Sequence, residues 1–131
     1  MQCDVSIRYN QLAGALSVPD GGFSIIPSTG ANVTRGYAVS VHPECERVLP
    51  GIVQASDLAR YADEHAATLA LPGRVFGGWR DPESGAAFLD VSVVVPELGD
   101  ALTLAQAHGQ LAVFDFLALT SVPVTSVPAA A

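Results

Sequence analysis

The feature that most limits the fold is a pair of strand-like runs joined by a short turn. The runs are Arg74–Arg80 and Ala86–Val95, and the residues between them read Asp-Pro-Glu-Ser-Gly. Pro82 presets a turn, and Gly85 can supply the positive φ of a bulged hairpin. We therefore predict a β-hairpin here.

The second run of this hairpin has two different faces. One face carries four apolar residues, Leu89, Val91, Val93 and Val95. The other face carries Phe88, Asp90, Ser92 and Val94. Because side chains alternate across a strand, we expect the first face to be buried in the core.

Further segments alternate with the period of two that a half-buried strand requires. They predict strands at Cys3–Tyr9, Phe23–Ile26, Gly36–His42 and Glu46–Leu49, and a last strand at Gln110–Phe116. The segment Asn10–Val18 is ambiguous, because its apolar spacing fits a helical turn whereas Gly14 and the glycines that follow oppose a long helix. It is left open as a loop or a short helix.

Two segments have helical spacing. The first is predicted to begin after Ser56 as N-cap and to run to about Leu69, with Asp57 in the first turn. The second, Leu98–His108, follows Pro96 and Glu97 and ends at a glycine. Each has one apolar stripe, which is typical of a helix packed on a sheet.

These elements predict one α+β domain over residues 1–118. We expect a twisted, mainly antiparallel sheet of five or six strands, with two helices packed on one face. Residues 119–131 are predicted to form a disordered tail, because Pro123 and Pro128 stand among small residues without an alternating pattern.

The charge balance limits the binding partners. The net charge is −7, with six arginines and no lysine, and phosphate-backbone binding needs clustered cations. We therefore expect no direct nucleic-acid binding. No apolar run approaches the roughly 18 residues of a membrane-spanning helix. Because Met1–Asp4 lacks the regions of a secretion signal, we expect a cytoplasmic protein whose Cys3 and Cys45 are reduced.

The segment His42–Glu46 brings a histidine, a cysteine and two acids together, as in metal sites. It lacks the paired spacing of structural zinc sites, so we favour a polar loop with Cys45 as a small, partly buried residue. The same cysteine could act as a nucleophile with His65 or His108 as base, but flanking acids oppose a thiolate. We expect His65 to be packed and His108 to act at a helix end.

Asp90 and Asp115 are the candidates for acid–base chemistry, since each lies in a predicted strand where burial could raise its pKa. No third group with an evident role accompanies them. Gly77 and Gly78 lack the spacing of a phosphate-binding loop, and we expect close backbone approach there. No residue is therefore assigned as catalytic, metal-binding or cofactor-binding, and no cofactor is expected.

Two features could form an interface with another protein. Trp79 follows the two glycines, and core packing is favoured over a role as interface anchor. The long polar connection between the second and third predicted strands could also be functional. Its candidate interface residues are Ser28, Thr29, Asn32 and Arg35.

Parts of the chain resemble a small module of phages and mobile elements in high-GC bacteria. The resemblance is carried by Gly77–Pro82, Phe88–Ser92 and Gly109–Asp115, and it continues upstream through Gly22–Ser24 and Gly36–Ser40. It covers about residues 22 to 116 and implies a genomic context but no mechanism. No catalytic residues follow from it.

The leading expectation is a non-enzymatic accessory protein of a phage or mobile element that binds another protein, with a host defence component as one candidate partner. A structural or assembly module that contacts copies of itself or a larger polypeptide is the alternative, with a homo-oligomer as one form of it. A small enzyme that uses Asp90, Asp115 or Cys45 is a third, for which no set of residues fills all roles.

Overall fold

A computed structural model describes the backbone of residues 2–124 and the side chains of residues 8–124. The helices are α1 (Gln2–Ala15), α2 (Ala55–Glu64), α3 (Ala66–Leu69) and α4 (Leu98–Ala107). The strands are β1 (Gly22–Ile25), β2 (Tyr37–Val39), β3 (Arg47–Leu49), β4 (Arg74–Arg80), β5 (Ala87–Val95), β6 (Ala112–Asp115) and β7 (Thr120–Pro123). A 3-10 turn, Pro43–Cys45, precedes β3.

The strands form one antiparallel sheet in the order β1-β4-β5-β2-β6-β7. β3 stands outside this order, because it pairs with the start of β5 while β2 pairs with the end. The predicted fold class, α+β with a mainly antiparallel sheet, is confirmed. The described part of the chain holds seven strands and four helices, more than the sequence pattern indicated.

The predicted hairpin is present as β4 and β5, which pair from Arg74 opposite Val93 to Arg80 opposite Ala87. Gly85 has a φ of 76°, as its turn position requires. The Asp81 carboxylate accepts hydrogen bonds at 2.9 Å from the Glu83 backbone N–H and from Ser84 Oγ, and these bonds hold the pKa of Asp81 below its ordinary value.

Helices α1 to α3 cover the first half of the sheet. Leu12, Leu16, Leu58, Tyr61 and Leu69 from these helices are buried against strand residues in one apolar cluster. The strand residues of this cluster are Ile25, Phe76, Ala87, Leu89 and Val91. This cluster is the larger part of the core.

Helix α4 covers the other half of the sheet. Ala101, Leu102 and Ala105 are buried with Val39 of β2 and Val113 of β6. In the β2–β5 pairing Val39 lies opposite Val93, which shares a face with Leu89 and Val91. All four helices therefore lie on the same face of the sheet, as expected for the helices predicted from the sequence.

The predicted strand at Cys3–Tyr9 is wrong, because these residues belong to helix α1. Downstream, Tyr9, Leu12, Ala13 and Leu16 recur at intervals of one helical turn and all contact the first core cluster. Burial of this stripe favours a helix over a strand. The helix also includes most of the ambiguous segment Asn10–Val18.

The first predicted helix begins one residue before Ser56, with Gln54 as its N-cap. The Gln54 backbone N–H donates to Asp57 Oδ2 at 2.9 Å, so the acid caps the helix. The helix is interrupted at His65, which separates α2 from α3.

The first part of the predicted disordered tail is ordered in the structure. Residues 120–123 form β7, which pairs with β6 from Thr120 opposite Asp115 to Pro123 opposite Ala112. Val124 is buried in the second core cluster. Short-range patterning missed this strand because only its partner β6 gives it a place in the sheet. Residues 125–131 of the predicted tail lie outside the described residues.

Candidate functional site

The face of the sheet opposite the helices carries an exposed row of apolar side chains. Trp79 lies opposite Phe88 in the β4–β5 pairing, and Val48 lies opposite Phe88 on its other side. Trp79 and Val48 are 44% and 48% exposed. No described helix packs on this face. The expected core packing of Trp79 is therefore wrong, and its indole is available to a partner.

A row of polar groups runs beside this apolar row. Asp90 lies opposite Gly77 of β4, and Glu46 continues the β3 register to the position opposite Asp90. A Cβ placed on Gly77 would lie 2.5 Å from Asp90 Oδ1, so the absence of a side chain makes room for the carboxylate. We call Trp79, Phe88, Val48, Asp90 and Glu46 the open sheet face.

The Asp90 carboxylate is the most perturbed acid in this region. It makes no hydrogen bond to another described side chain or backbone group. Burial, followed by the nearby charge of Glu46, raises the pKa of Asp90 to about 6. The site therefore places two acidic side chains next to each other, and no salt bridge of the described residues joins either of them to a cation.

The indole of Trp79 is held in place from one side. Its Nε1–H donates to Asp20 Oδ1 at 2.7 Å. Asp20 is itself anchored, because its backbone N–H donates to the Arg80 carbonyl at 2.9 Å. The Phe88 ring lies 6.2 Å from the indole, centroid to centroid, with the two planes tilted by 35°. The aromatic surface is therefore preorganised.

Farther along the same face of the sheet, the side chains are no longer exposed. Val75 and Ser92, in the next pair of positions, are buried. The open sheet face is thus confined to the end of the sheet nearest the β4–β5 turn. An aromatic surface beside carboxylates can bind a cationic side chain, through cation–π contact and ion pairing.

The predicted interface loop lies elsewhere. Trp79 pairs with Gly22 at the beginning of β1, whereas the loop leaves the end of that strand. In the loop, Thr29 Oγ1 accepts the Ala31 backbone N–H at 3.1 Å, and Asn32 Oδ1 accepts a hydrogen bond from the Arg8 guanidinium. Ser28 and Arg35 are exposed. The structure therefore does not bring Trp79 and the loop into one surface.

The segment His42–Glu46 has the geometry of a polar turn. His42 Nδ1 lies 3.3 Å from Glu44 Oε2, and His42 Nε2 accepts a hydrogen bond from Arg74 Nε at 3.0 Å. Both ring nitrogens are therefore engaged. Among the described residues no three His, Cys, Asp or Glu side chains cluster closely enough to hold a metal ion.

Cys45 is a buried free thiol on the core side of this turn. Burial, followed by the charge of Glu44, raises the pKa of Cys45, which keeps the thiol protonated and weakly nucleophilic. No hydrogen bond joins Cys45 to a histidine in the described part of the chain. The His65 ring instead lies 4.4 Å from that of Tyr61, and His108 is the C-cap residue of α4. The side chain of Cys3 lies outside the described residues.

The two candidate acids are not paired. Asp115 Oδ1 accepts the backbone N–H groups of Leu117 at 3.0 Å and Ala118 at 3.2 Å, so it shapes the β6–β7 turn. Asp115 lies opposite Tyr37, which lies opposite Val95 on the helix-covered face. Asp90 is on the other face, and the two carboxylates therefore cannot act on one substrate atom.

Sequence reasoning named Trp79 and Asp90 but missed Glu46, Val48 and Asp20 as their neighbours. Val48 lies in β3, Glu46 immediately precedes that strand and Asp20 lies in the turn before β1, so no local motif links them. The only local sign of this site in the sequence was Asp90, an acid in a predicted strand that pairs with the strand carrying Gly77 and Gly78.

No protein-family model matches the chain, and no curated protein or solved structure shows significant similarity to it. Within the described residues, no helix combines the length and apolarity that crossing a membrane requires.

Proposed function

We propose that the protein acts without catalysis, by binding a partner protein through the open sheet face. The observation that carries this proposal is the unpaired Asp90 carboxylate beside Glu46, next to the exposed and immobilised indole of Trp79. An unneutralised acid of this kind lowers the stability of the folded protein, which favours a role outside folding.

The chemistry of the site selects a cationic partner segment. An arginine or lysine side chain can place its charge between Asp90 and Glu46 while its methylene groups contact Trp79 and Phe88. The contribution of one cation–π contact is about 0.5–2 kcal/mol. The net charge of −7 adds long-range attraction for a basic partner and raises its association rate.

A direct test uses a dye-labelled peptide of alternating arginine and alanine, with citrulline in place of arginine as the neutral control. Because Trp79 is the sole tryptophan, its fluorescence reports binding at the proposed surface itself. We expect saturable quenching by the arginine peptide, at least tenfold weaker binding of the citrulline peptide, and weaker binding at pH 5 than at pH 7.5.

Variants separate this surface from general charge attraction. Asp90→Asn and Trp79→Ala are expected to weaken the binding of the labelled peptide at least fivefold, as measured by anisotropy. The matched control is Asp100→Asn, which removes an exposed acid on α4 at the other face and is expected to change affinity less than twofold. Equal losses in Asp90→Asn and Asp100→Asn would show that only net charge matters and would overturn the proposal.

The non-enzymatic character is tested in the same assay. Cys45→Ser and Asp115→Asn are expected to leave peptide binding within the range explained by stability, because neither side chain reaches the open sheet face. If a biological activity is found and Asp115→Asn removes it from a folded protein that still binds the peptide, an acid-dependent reaction would replace this proposal. The phage or mobile-element context implied by the resemblance stays a prediction.

A second candidate, assembly with copies of itself, is favoured by one observation. Leu117 and Leu119 at the β6–β7 turn are 76% and 75% exposed. Exposed apolar side chains that lie close together mark contact surfaces. Sedimentation of the wild-type protein and of a Leu117→Ser, Leu119→Ser double variant tests this candidate, and a concentration-independent monomer in both would exclude it.

A further inference from the structure

A cavity of about 550 Å³ lies on the helix side of the sheet, away from the open sheet face. The cavity is half open to solvent, and its exposed apolar lining includes Ile26 and Leu71. Its polar lining includes the side chains of Arg8 and Arg74. The volume falls within the range of about 300–1,000 Å³ that is usual for small-molecule sites.

The guanidinium group of Arg8 has no anionic partner among the described side chains, residues 8–124. Its Nη1 donates to Gln11 Oε1 at 2.7 Å, and its Nη2 donates to Asn32 Oδ1, so both acceptors are neutral amides. Its Nε is buried and meets no acceptor among the described residues. An unsatisfied buried donor lowers the stability of the folded protein. The charge of Arg8 is therefore not neutralised by any described side chain.

The guanidinium group of Arg74 also has no anionic partner among the described residues. Its Nε donates to His42 Nε2 at 3.0 Å and its Nη1 to the Pro72 carbonyl oxygen at 2.9 Å. His42 Nδ1 in turn lies 3.3 Å from Glu44 Oε2. By contrast, Arg47 forms an ion pair with Glu64 at 2.6 Å. Arg74 forms no such pair with a described acid.

One acid also lines the cavity. Asp63 is exposed on α2, and its charge, after burial, raises the pKa of the neighbouring Tyr9 hydroxyl. With Arg8 and Arg74 against Asp63, the lining carries an excess of one positive charge, although the chain as a whole carries −7. An anion in the cavity is therefore attracted locally in spite of the overall charge.

We propose that this cavity binds a small organic anion, with its carboxylate or phosphate group at Arg8 and Arg74 and its apolar body against Ile26 and Leu71. Guanidinium groups match the planar and tetrahedral oxyanions through paired N–H donors. An apolar wall opposite two fixed cations selects an aromatic or aliphatic acid over a bare inorganic anion. This site shares no residue with the open sheet face. Either proposal can therefore be refuted by its experiment while the other stands.

The probes are benzoate, phenyl phosphate, inorganic phosphate and benzylamine, each titrated into the wild-type protein and followed by calorimetry and by NMR chemical shifts. We expect saturable binding of at least one of the two aromatic anions. Inorganic phosphate is expected to bind at least tenfold more weakly, and benzylamine not to bind. If inorganic phosphate binds as tightly as phenyl phosphate, the apolar walls contribute nothing and the proposal is wrong.

The residues are tested by Arg8→Gln and Arg74→Gln, each expected to weaken aromatic anion binding at least tenfold. Arg60→Gln is the matched control, because Arg60 is exposed on α2 and lies 4.0 Å from Asp57 outside the cavity lining. Its affinity should change less than twofold. Circular dichroism and the unfolding midpoint establish that each variant is folded.

A second variant covers the case in which an arginine substitution prevents folding. Ala66→Leu adds bulk at an exposed position of the lining without removing a hydrogen bond, and it should weaken aromatic anion binding at least fivefold. The absence of saturable binding of both aromatic anions to the wild-type protein at 10 mM would overturn the proposal. Unchanged affinity in folded Arg8→Gln and Arg74→Gln proteins would do the same.

Discussion

Gly77 lies directly opposite Asp90 in the β4–β5 pairing, and a methyl group on Gly77 would come within 2.5 Å of Asp90 Oδ1. The glycine thus makes room for a carboxylate that burial keeps partly desolvated and that has no described hydrogen-bond donor. This arrangement is costly for the folded state, and it places the acid beside the exposed indole of Trp79.

Asp90→Asn is expected to stabilise the protein at neutral pH. The folded protein keeps a proton on Asp90 up to a pKa of about 6, whereas the unfolded chain releases it near its ordinary pKa of 3.8. The folded state therefore binds more protons between these values, and the contribution of Asp90 to stability falls as the pH rises from about 4 to 6. The amide of the Asp90→Asn variant does not ionise. The variant should therefore keep the free energy of unfolding that the wild-type protein loses, on the order of 1–3 kcal/mol above pH 7.

Urea unfolding at pH 4 and pH 7.5 measures this effect. The gain from Asp90→Asn should be present at pH 7.5 and small at pH 4, where the wild-type carboxyl is protonated in the folded protein. Asp100→Asn serves as an exposed control. A destabilisation by Asp90→Asn at pH 7.5 would mean that the carboxylate has a stabilising partner.

Gly77→Ala is expected to destabilise the protein by about 1 kcal/mol, because the new methyl group displaces the Asp90 carboxylate. The cost depends on that one contact, since the next nearest atom outside Asp90 is the Phe23 carbonyl oxygen at 3.8 Å. In an Asp90→Ala background Gly77→Ala should therefore cost less. A double-mutant cycle measures the coupling, expected to be about 0.5–1 kcal/mol. Additive effects would contradict the contact.

Two glycines with open space around them should respond in opposite ways to alanine. Neither Gly85 nor Gly99 has a heavy atom within 4 Å of a built Cβ, but only Gly85 has positive φ, at 76°. Gly85→Ala should destabilise by about 1 kcal/mol, and Gly85→Val by more, through backbone strain. Gly99→Ala, in α4, should stabilise by about 0.5–1 kcal/mol. Thermal unfolding of both variants tests the pair. An unchanged midpoint for Gly85→Ala would contradict the assigned turn, and a lower midpoint for Gly99→Ala would contradict the open helical position.

Removal of β7 is expected to destabilise the domain, contrary to the expectation for a disordered tail. A chain that ends at Leu119 loses the pairing of β7 with β6 and the buried Val124. The expected loss is on the order of 2–4 kcal/mol relative to a chain that ends at Val124. Unfolding midpoints of the two truncated chains isolate this contribution, and equal midpoints would show that β7 does not support the fold.

Local patterning was most successful where short-range chemistry alone decides the structure. The β4–β5 hairpin follows from turn residues and an alternating strand that are contiguous in sequence, and Leu89 and Val91 are buried as that alternation predicts. It failed at Cys3–Tyr9, where two alternating apolar residues gave a strand pattern. There the helix is favoured by downstream residues such as Leu12 and Leu16, which are buried against the sheet.

The sequence by itself determined the fold class, the central hairpin and an acidic surface without a recognisable catalytic motif. The tertiary structure alone decided which face of the sheet stays uncovered and which groups meet there. Glu46 meets Asp90 only through the pairing of β3 with β5, and Arg8 and Arg74 line one half-open cavity only because α1, α2, α3 and the start of β4 pack around it. Contacts between residues far apart in the chain depend on register and packing, which no local pattern encodes.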